Sequence, residues 1–294
     1  MTIRTASSGA LLLPRLLISL LWLAAAVARP LVAQSGNAVS LRIRPRVGDT
    51  MYTRFEQEVE MTGTTRVGGA DTTMTMTSNM LMLSHVLVQA SDDRATTVLT
   101  VTDSVAMATS GGASVLAPPE SVRRALQGKR VRLRVASDGS ATVLDASGEL
   151  GPDLQAVVSG MPATLPERPI VVGATWEKVM AIPVAGDTHA QPGATLRTLY
   201  RLDSLSADGD LAYISVRGTL TRDSTAAVLP QGLRVTSTGN ITGNMRVDRK
   251  RGWWIDSHAT IAVKSTLTPS GGARANPVQV QMKITQRMRT LGTP

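Results

Sequence analysis

The stretch "TTMTMTSNMLMLSHVLVQA", residues 72–90, decides the fold class. Met74, Met76, Met80, Met82, Val86 and Val88 hold even positions, with Thr73, Thr75, Thr77 and Asn79 between them. Successive side chains of a strand point to opposite faces, so this period of two predicts a strand with one apolar and one polar face. Leu81, Leu83 and Leu87 make the odd face apolar as well, which predicts cover on both sides toward the far end. Flanking it, "DTMYTRFEQEVEMTG" (49–63) and "ATTVLTVTDSVAMATS" (95–110) are of similar length, and the joins "RVGGAD" and "SDDR" carry turn residues. These runs predict a meander of long antiparallel strands.

Farther out, two short helices are expected. "PPESVRRALQG" (118–128) and "PDLQAVVSG" (152–160) both open on proline and stop at glycine, the usual asymmetry of helix ends. Between them "RVRLRVASDGSATVLD" predicts a hairpin turning at Asp138-Gly139. "MPATLPERP" (161–169) reads as a proline-rich connector, residues 161–168, between a lobe of residues 34–160 and a lobe of residues 169–294. Three blocks recur in the same order in the two lobes. "VGDTMY" matches "VGATWE", pairing Val47 with Val172, Gly48 with Gly173 and Thr50 with Thr175. "LVQASDDRATTVLTV" matches "LDSLSADGDLAYISV", pairing Leu87 with Leu202 and Asp93 with Asp208. "RVASDGSATVLD" matches "RVDRKRGWWID", with Gly139 against Gly252 and Asp145 against Asp256. The expected fold is therefore mainly β, with long antiparallel meanders forming two related half-barrel or sandwich lobes and short helices, as an internal duplication would produce.

Residues 1–33 have the layout of a cleaved signal peptide. Arg4 and Arg15 precede the apolar run "LLISLLWLAAAVA" (16–28), and small residues follow in "RPLVAQS". The run is shorter than the roughly 20 residues a bilayer span needs, so cleavage is expected, after Ala33 in preference to Ala28. The chain has no cysteine, which excludes lipoprotein acylation, disulfides and thiolate chemistry. Export without disulfides points to a bacterial periplasmic or secreted protein that relies on a packed core. The formal charge is +9, and it falls to +6 once Arg4, Arg15 and Arg29 leave with the leader. Aromatic residues make up only 3% and no recognition module is present, so nucleic acid is not expected as a partner.

"LPERPIVVGATWEKV", "GNITGNMRVDRKRGWWID" and the leader together resemble a family of exported bacterial proteins of unknown function, with a Val-Gly-x-x-Trp opening and a later Asp-x-x-x-Gly hairpin. The long strands and short helices are also similar, at the level of fold, to the half-barrel of LolA-like lipoprotein carriers. Neither resemblance implies a catalytic residue.

The chemistry-bearing residues are few. No zinc-protease, nucleophile-elbow, phosphate-loop or calcium-loop motif occurs, so no catalytic, cofactor-binding or metal-binding residue and no cofactor is assigned. His85, His189 and His258 lie far apart and read as unrelated. Asp92, Asp93, Asp208 and Asp210 fall in hairpin turns, where aspartate caps its own backbone. Arg42, Arg44 and Arg46 form one basic stripe and Arg130, Arg132 and Arg134 another; both read as solvated faces, with anionic headgroups as the functional alternative. Adjacent Trp253 and Trp254 are expected on opposite faces. The methionines carry the main functional expectation. Thioethers bind Cu(I), but methionine alternating along a strand fits better with an adaptable apolar surface.

Met74, Met76, Met80, Met82 and Val86 are therefore the expected ligand-contacting residues of a non-enzymatic envelope protein that binds a lipid-like, apolar or amphipathic ligand on a concave sheet face. The alternative is a scaffold or protein-interaction module of the envelope with another envelope protein as its partner. The leader reading predicts a mature N-terminus at Gln34, which intact mass of the exported protein checks; a mass that retains residues 1–33 overturns it.

Overall fold

The computed structural model describes residues 37–67, 69–111, 119–146, 164–182, 194–222, 228–229, 233–269 and 276–292. The signal segment, His189, Met161 and the expected helix at 152–160 lie outside the described residues, and the connector does so in part. From Ala38 onward the chain forms one compact unit. Its strands are β1 (Thr50–Val67), β2 (Ala70–Ser91), β3 (Ala95–Gly111), β4 (Arg130–Ala136), β5 (Ala141–Ala146), β6 (Thr175–Ile182), β7 (Ala194–Leu205), β8 (Leu211–Arg222), β9 (Val228–Leu229), β10 (Leu233–Asp248), β11 (Trp253–Pro269) and β12 (Val278–Leu291). One short helix, α1 (Pro119–Leu126), follows β3, with Glu120 in its first turn bound to Arg123.

All pairings are antiparallel and all strands belong to one sheet, in the order β5-β4-β3-β2-β1-β12-β11-β10-β8-β7-β6, with β9 beside β10. Each half of the chain forms its own meander, and the two meanders join through β1 and β12, paired from Tyr52↔Leu291 to Thr64↔Gln279. The ends of the sheet, β5 and β6, are not paired with each other, so the sheet is not closed into a barrel.

The core shows how this sheet bends. Val135 of β4 and Tyr200 and Leu202 of β7 lie in one buried cluster, yet eight strand spacings separate β4 from β7. A flat sheet would hold them about 40 Å apart, so the sheet must curl until its flanks share a core, and the face bearing these residues is concave. Filling that space are Leu41 and Ile43, each 1% exposed, and Leu165, fully buried. The segment that carries Leu41 and Ile43 is pinned at both flanks and between them: Ile43 N–H donates to Ser137 O of the β4–β5 turn at 2.9 Å, Val39 N–H donates to Ile170 O ahead of β6 at 2.7 Å, and Arg44 N–H donates to Gly252 O of the β10–β11 turn at 2.9 Å. Arg42, Arg44 and Arg46 alternate with these core residues and are exposed. Their stripe is the solvated side of a core-forming segment, and Arg44 pairs there with Asp93 at 2.8 Å.

Close strand approach supports the bend. A Cβ on Gly239 of β10 would stand 2.7 Å from the Ala262 carbonyl oxygen, and one on Gly218 of β8 would stand 2.9 Å from that of Arg197. Only glycine permits those spacings.

The repeated blocks adopt matching turns. Gly48 (φ 89°) and Gly173 (φ 90°) donate to Val88 O and Leu202 O. Val88 and Leu202 donate back to Asp49 O and Ala174 O, while Asp49 and Ala174 close their turns onto Arg46 O and Val171 O. The structural partner of Leu202 is thus Val88, one residue beyond the Leu87 of the sequence match. Asp92 and Asp208 cap their own turns; hydrogen bonds from Ala95 and Arg94 N–H hold the Asp92 carboxyl below its ordinary range, and Ser206 Oγ–H does the same for Asp208.

The tryptophan expectation needs correction. Arg246 pairs with Asp256 and Val247 with Trp254, which leaves Ile255 as a bulge. A bulge bends its strand and increases the local twist. The Trp253 and Trp254 rings meet edge to face with centroids 5.0 Å apart, and both pack at the core.

Truncating Ile43→Ala should destabilise the protein by about 2–5 kcal/mol, because a fully packed side chain is lost between two flanks that relax little. Urea denaturation measures it; a loss below about 1 kcal/mol would mean that the segment does not hold the flanks together.

Candidate ligand-binding face

Strand register shows what each face carries. Rows across the sheet can be read from the pairings, and on the concave side they are almost free of charge. One row runs Val105, Met82, Phe55, Met288, Ser257, Met245, Ile214 and Leu202 from β3 to β7. Two rows further out it runs Thr109, Ser78, Val59, Ile284, Ile261, Ile241, Gly218, Thr198 and, on β6, Lys178. Next come Gly111, Met76, Met61, Met282, Val263, Gly239, Leu220, Leu196 and Met180. The convex side carries Arg54, Glu56, Glu58, Glu60, Lys283, Arg287 and Arg289 among many threonines.

Eleven of the thirteen methionines lie on the concave face: Met51, Met61, Met74, Met76, Met80, Met82, Met107, Met180, Met245, Met282 and Met288. The other two, Met1 and Met161, are outside the described residues. Unbranched thioethers repack at low cost, which suits a surface that must accept variable apolar shapes. The five residues expected from the sequence all belong to this face, in different settings. Val86 is buried in the core and Met76 is buried farther along β2. Met80 and Met82 are half-buried, and Met74 is 55% exposed at the open end. Missed were Met180, Met245, Met282 and Met288, which only nonlocal pairing brings onto the same face.

Two charged side chains stand on this face, Lys178 and Arg222, and neither was singled out from the sequence. Their alternation with Trp176 and Met180, and with Leu220 and Gly218, was the available signal. Lys178 is largely buried, 4.0 Å from the exposed Glu167. One guanidinium nitrogen of Arg222 is buried and has no hydrogen-bond partner; Thr109 Oγ1, on the opposite flank of the same face, is likewise buried and unpartnered.

The convex side has a shallow open depression of about 570 Å³, bordered by Arg54, Glu56, Asn79, His258 and Arg287. Arg54 and Glu56 bind each other across its rim at 2.5 Å. On this side His85 Nδ1 lies 2.8 Å from Asp103 Oδ1, and its ring tilts against Tyr52. Among the described residues no three His, Cys, Asp or Glu side chains gather as a metal site, and no helix is long and apolar enough to cross a membrane.

At the closed end Trp176 stacks on Tyr200, with centroids 5.5 Å apart and planes 10° from parallel, and its indole N–H donates to Thr164 O at 3.0 Å. Burial pushes the Tyr200 hydroxyl above its ordinary range, opposed by a hydrogen bond with Thr198.

Fold and face thus define a single-sheet antiparallel β protein with one apolar concave surface. Residues 153–254 match a sequence model for a family of unknown function, DUF6263. No curated protein sequence matches the chain. Among solved structures the chain is similar to lipovitellin, from a study of its lipid–protein interactions, at 9% identity and a TM-score of 0.45, covering 84% of this chain and 25% of that one. It is also similar to the outer membrane protein OprG of Pseudomonas aeruginosa (8% identity, TM-score 0.26, 85% and 99% covered) and to a DUF1329 family protein of Desulfovibrio piger (8%, 0.13, 81% and 87%). The chain spans a quarter of the lipovitellin chain it matches. At these scores the likenesses carry no argument about a ligand.

Because the folded state holds the Tyr200 hydroxyl protonated above its unfolded value, it binds more protons than the unfolded chain at high pH, and its stability falls as pH rises past about 10. Urea midpoints measured across that range should drop for the unaltered protein and drop less for Tyr200→Phe; equal slopes would rule Tyr200 out as the cause.

Proposed function

We propose that this is a non-enzymatic protein of the bacterial envelope that binds an apolar or amphipathic, lipid-like molecule on the concave face of its sheet. One observation carries the reading: across the long strands the register places most of the apolar side chains, and eleven of the thirteen methionines, on one face, while nearly all charge stands on the other. A sheet needs an apolar face only where something covers it, and the core residues Leu41, Ile43 and Leu165 lie at the closed end. Toward the open end, Met61, Val59, Met282 and Ile284 remain half-buried. That surface has the chemistry of a site for variable acyl chains.

The same reading makes the halves, residues 34–160 and 169–294, copies of one ancestral unit. The matched Val-Gly turns support this. An exported mature chain starting after Ala33 is part of the proposal. A scaffold that docks another envelope protein is the second reading, favoured by the long β6 edge, where Val179 is 57% exposed.

The neutral dye Nile red should bind the purified protein and fluoresce, and organic extraction of gently purified protein should release lipid. Met76→Glu and Met282→Glu should cut dye binding at least tenfold by placing a charge among apolar rows, whereas Thr77→Glu and Gln281→Glu, on the convex face, should leave it within about twofold. Absence of dye binding and of extractable lipid in the unaltered protein, or equal losses from both faces in folded variants, overturns the reading.

A further inference from the structure

We infer that the concave face selects an amphiphile with an anionic headgroup, and that Arg222 is the headgroup anchor. This rests on the proposal that the face binds a lipid-like molecule. Arg222 closes β8 toward the open end of the face, in the row that runs Met74, Gly63, Val280, Ser265, Ser237 and Arg222. That row changes character along its length. Ser237 and Ser265 hydrogen-bond each other at 2.8 Å beside Arg222, so the β11–β10–β8 corner of an otherwise apolar face is polar.

A buried guanidinium nitrogen without a partner costs free energy, and native proteins seldom leave one so. Among the described residues no carboxylate or carbonyl answers this nitrogen. The matching partner is an anion that arrives with the ligand. The planar fork of arginine fits a carboxylate or phosphate in two-point contact, which a neutral or cationic head cannot provide.

Position in the sheet orients the ligand. From the Arg222 row to the row of Met82, Phe55 and Met288 there are eight residues along β2, about 26 Å at the rise of a strand. An acyl chain whose head is held by Arg222 at the open end therefore lies along the methionine and isoleucine rows with its tail toward the closed end. Lys178 stands two rows nearer the core, but Glu167 lies 4.0 Å away and offsets its charge, so the anchor role falls to Arg222.

Affinities are compared among palmitate, hexadecanol and hexadecyltrimethylammonium, which share a chain and differ in head, by displacement of Nile red at low and at high salt. Palmitate should bind roughly tenfold or more tightly than hexadecanol, and the cation most weakly. In Arg222→Gln the palmitate-to-hexadecanol ratio should fall to within about threefold, and Arg222→Lys should restore part of it. Lysophosphatidic acid against palmitate separates a phosphate head from a carboxylate one, lysophosphatidylcholine with its zwitterionic head should bind more weakly than lysophosphatidic acid, and inorganic phosphate alone should not displace the dye. If Nile red binds but palmitate and hexadecanol bind equally, or the ratio survives Arg222→Gln, the anchor is wrong while the apolar site stands. If nothing binds the unaltered protein, the underlying reading fails with it.

Discussion

Everything in this structure depends on a short extended segment lying between two hairpin turns. Leu41 and Ile43 fill the space between the flanks of the sheet, while the segment's backbone bonds to Ser137 on one flank, to Ile170 ahead of β6 on the other and to Gly252 between them. A twisted antiparallel sheet of this width has no reason to bring its ends within reach unless burial rewards it. The segment supplies that reward, and it turns the pleat of each strand into an inside and an outside. Without it, the methionine-bearing side would be an unsupported apolar surface.

Once the sheet is curled, the strict period of two does the rest. Each strand contributes one residue per row, and antiparallel pairing keeps rows aligned from β3 to β6, with bulges confined to the closed end, as at Ile255. Apolar residues of unrelated stretches therefore become neighbours, and charge is driven outward because a lone ion on the inner side would lose its hydration. Lys178 and Arg222 are the departures from that rule. Lys178 has Glu167 at 4.0 Å, whereas a buried nitrogen of Arg222 has no partner among the described residues, and there a ligand's own charge would make up the difference.

The two halves make the same kinds of turn from different residues. Gly48 and Gly173 need positive φ to donate across to Val88 and Leu202, and both positions are glycine. The repeated hairpins near Gly139 and Gly252 do more than echo each other, since both tips hydrogen-bond the segment of Leu41 and Ile43.

Local alternation was enough to determine the strands, the Asp138-Gly139 hairpin, the short helix at Pro119–Leu126 and the apolar face of β2, because strand period and turn chemistry are properties of neighbouring residues. The same alternation marked Arg42, Arg44 and Arg46 as solvated while leaving the importance of Leu41 and Ile43 unread, since a packing partner from another strand has no local signature. Only the tertiary structure decided that β1 pairs with β12, that Met76, Met61 and Met282 form one row, that both tryptophans turn to the core, and that one guanidinium nitrogen of Arg222 is buried without a partner among the described residues. Register between distant strands depends on burial summed over a whole face, and no window of sequence contains that sum.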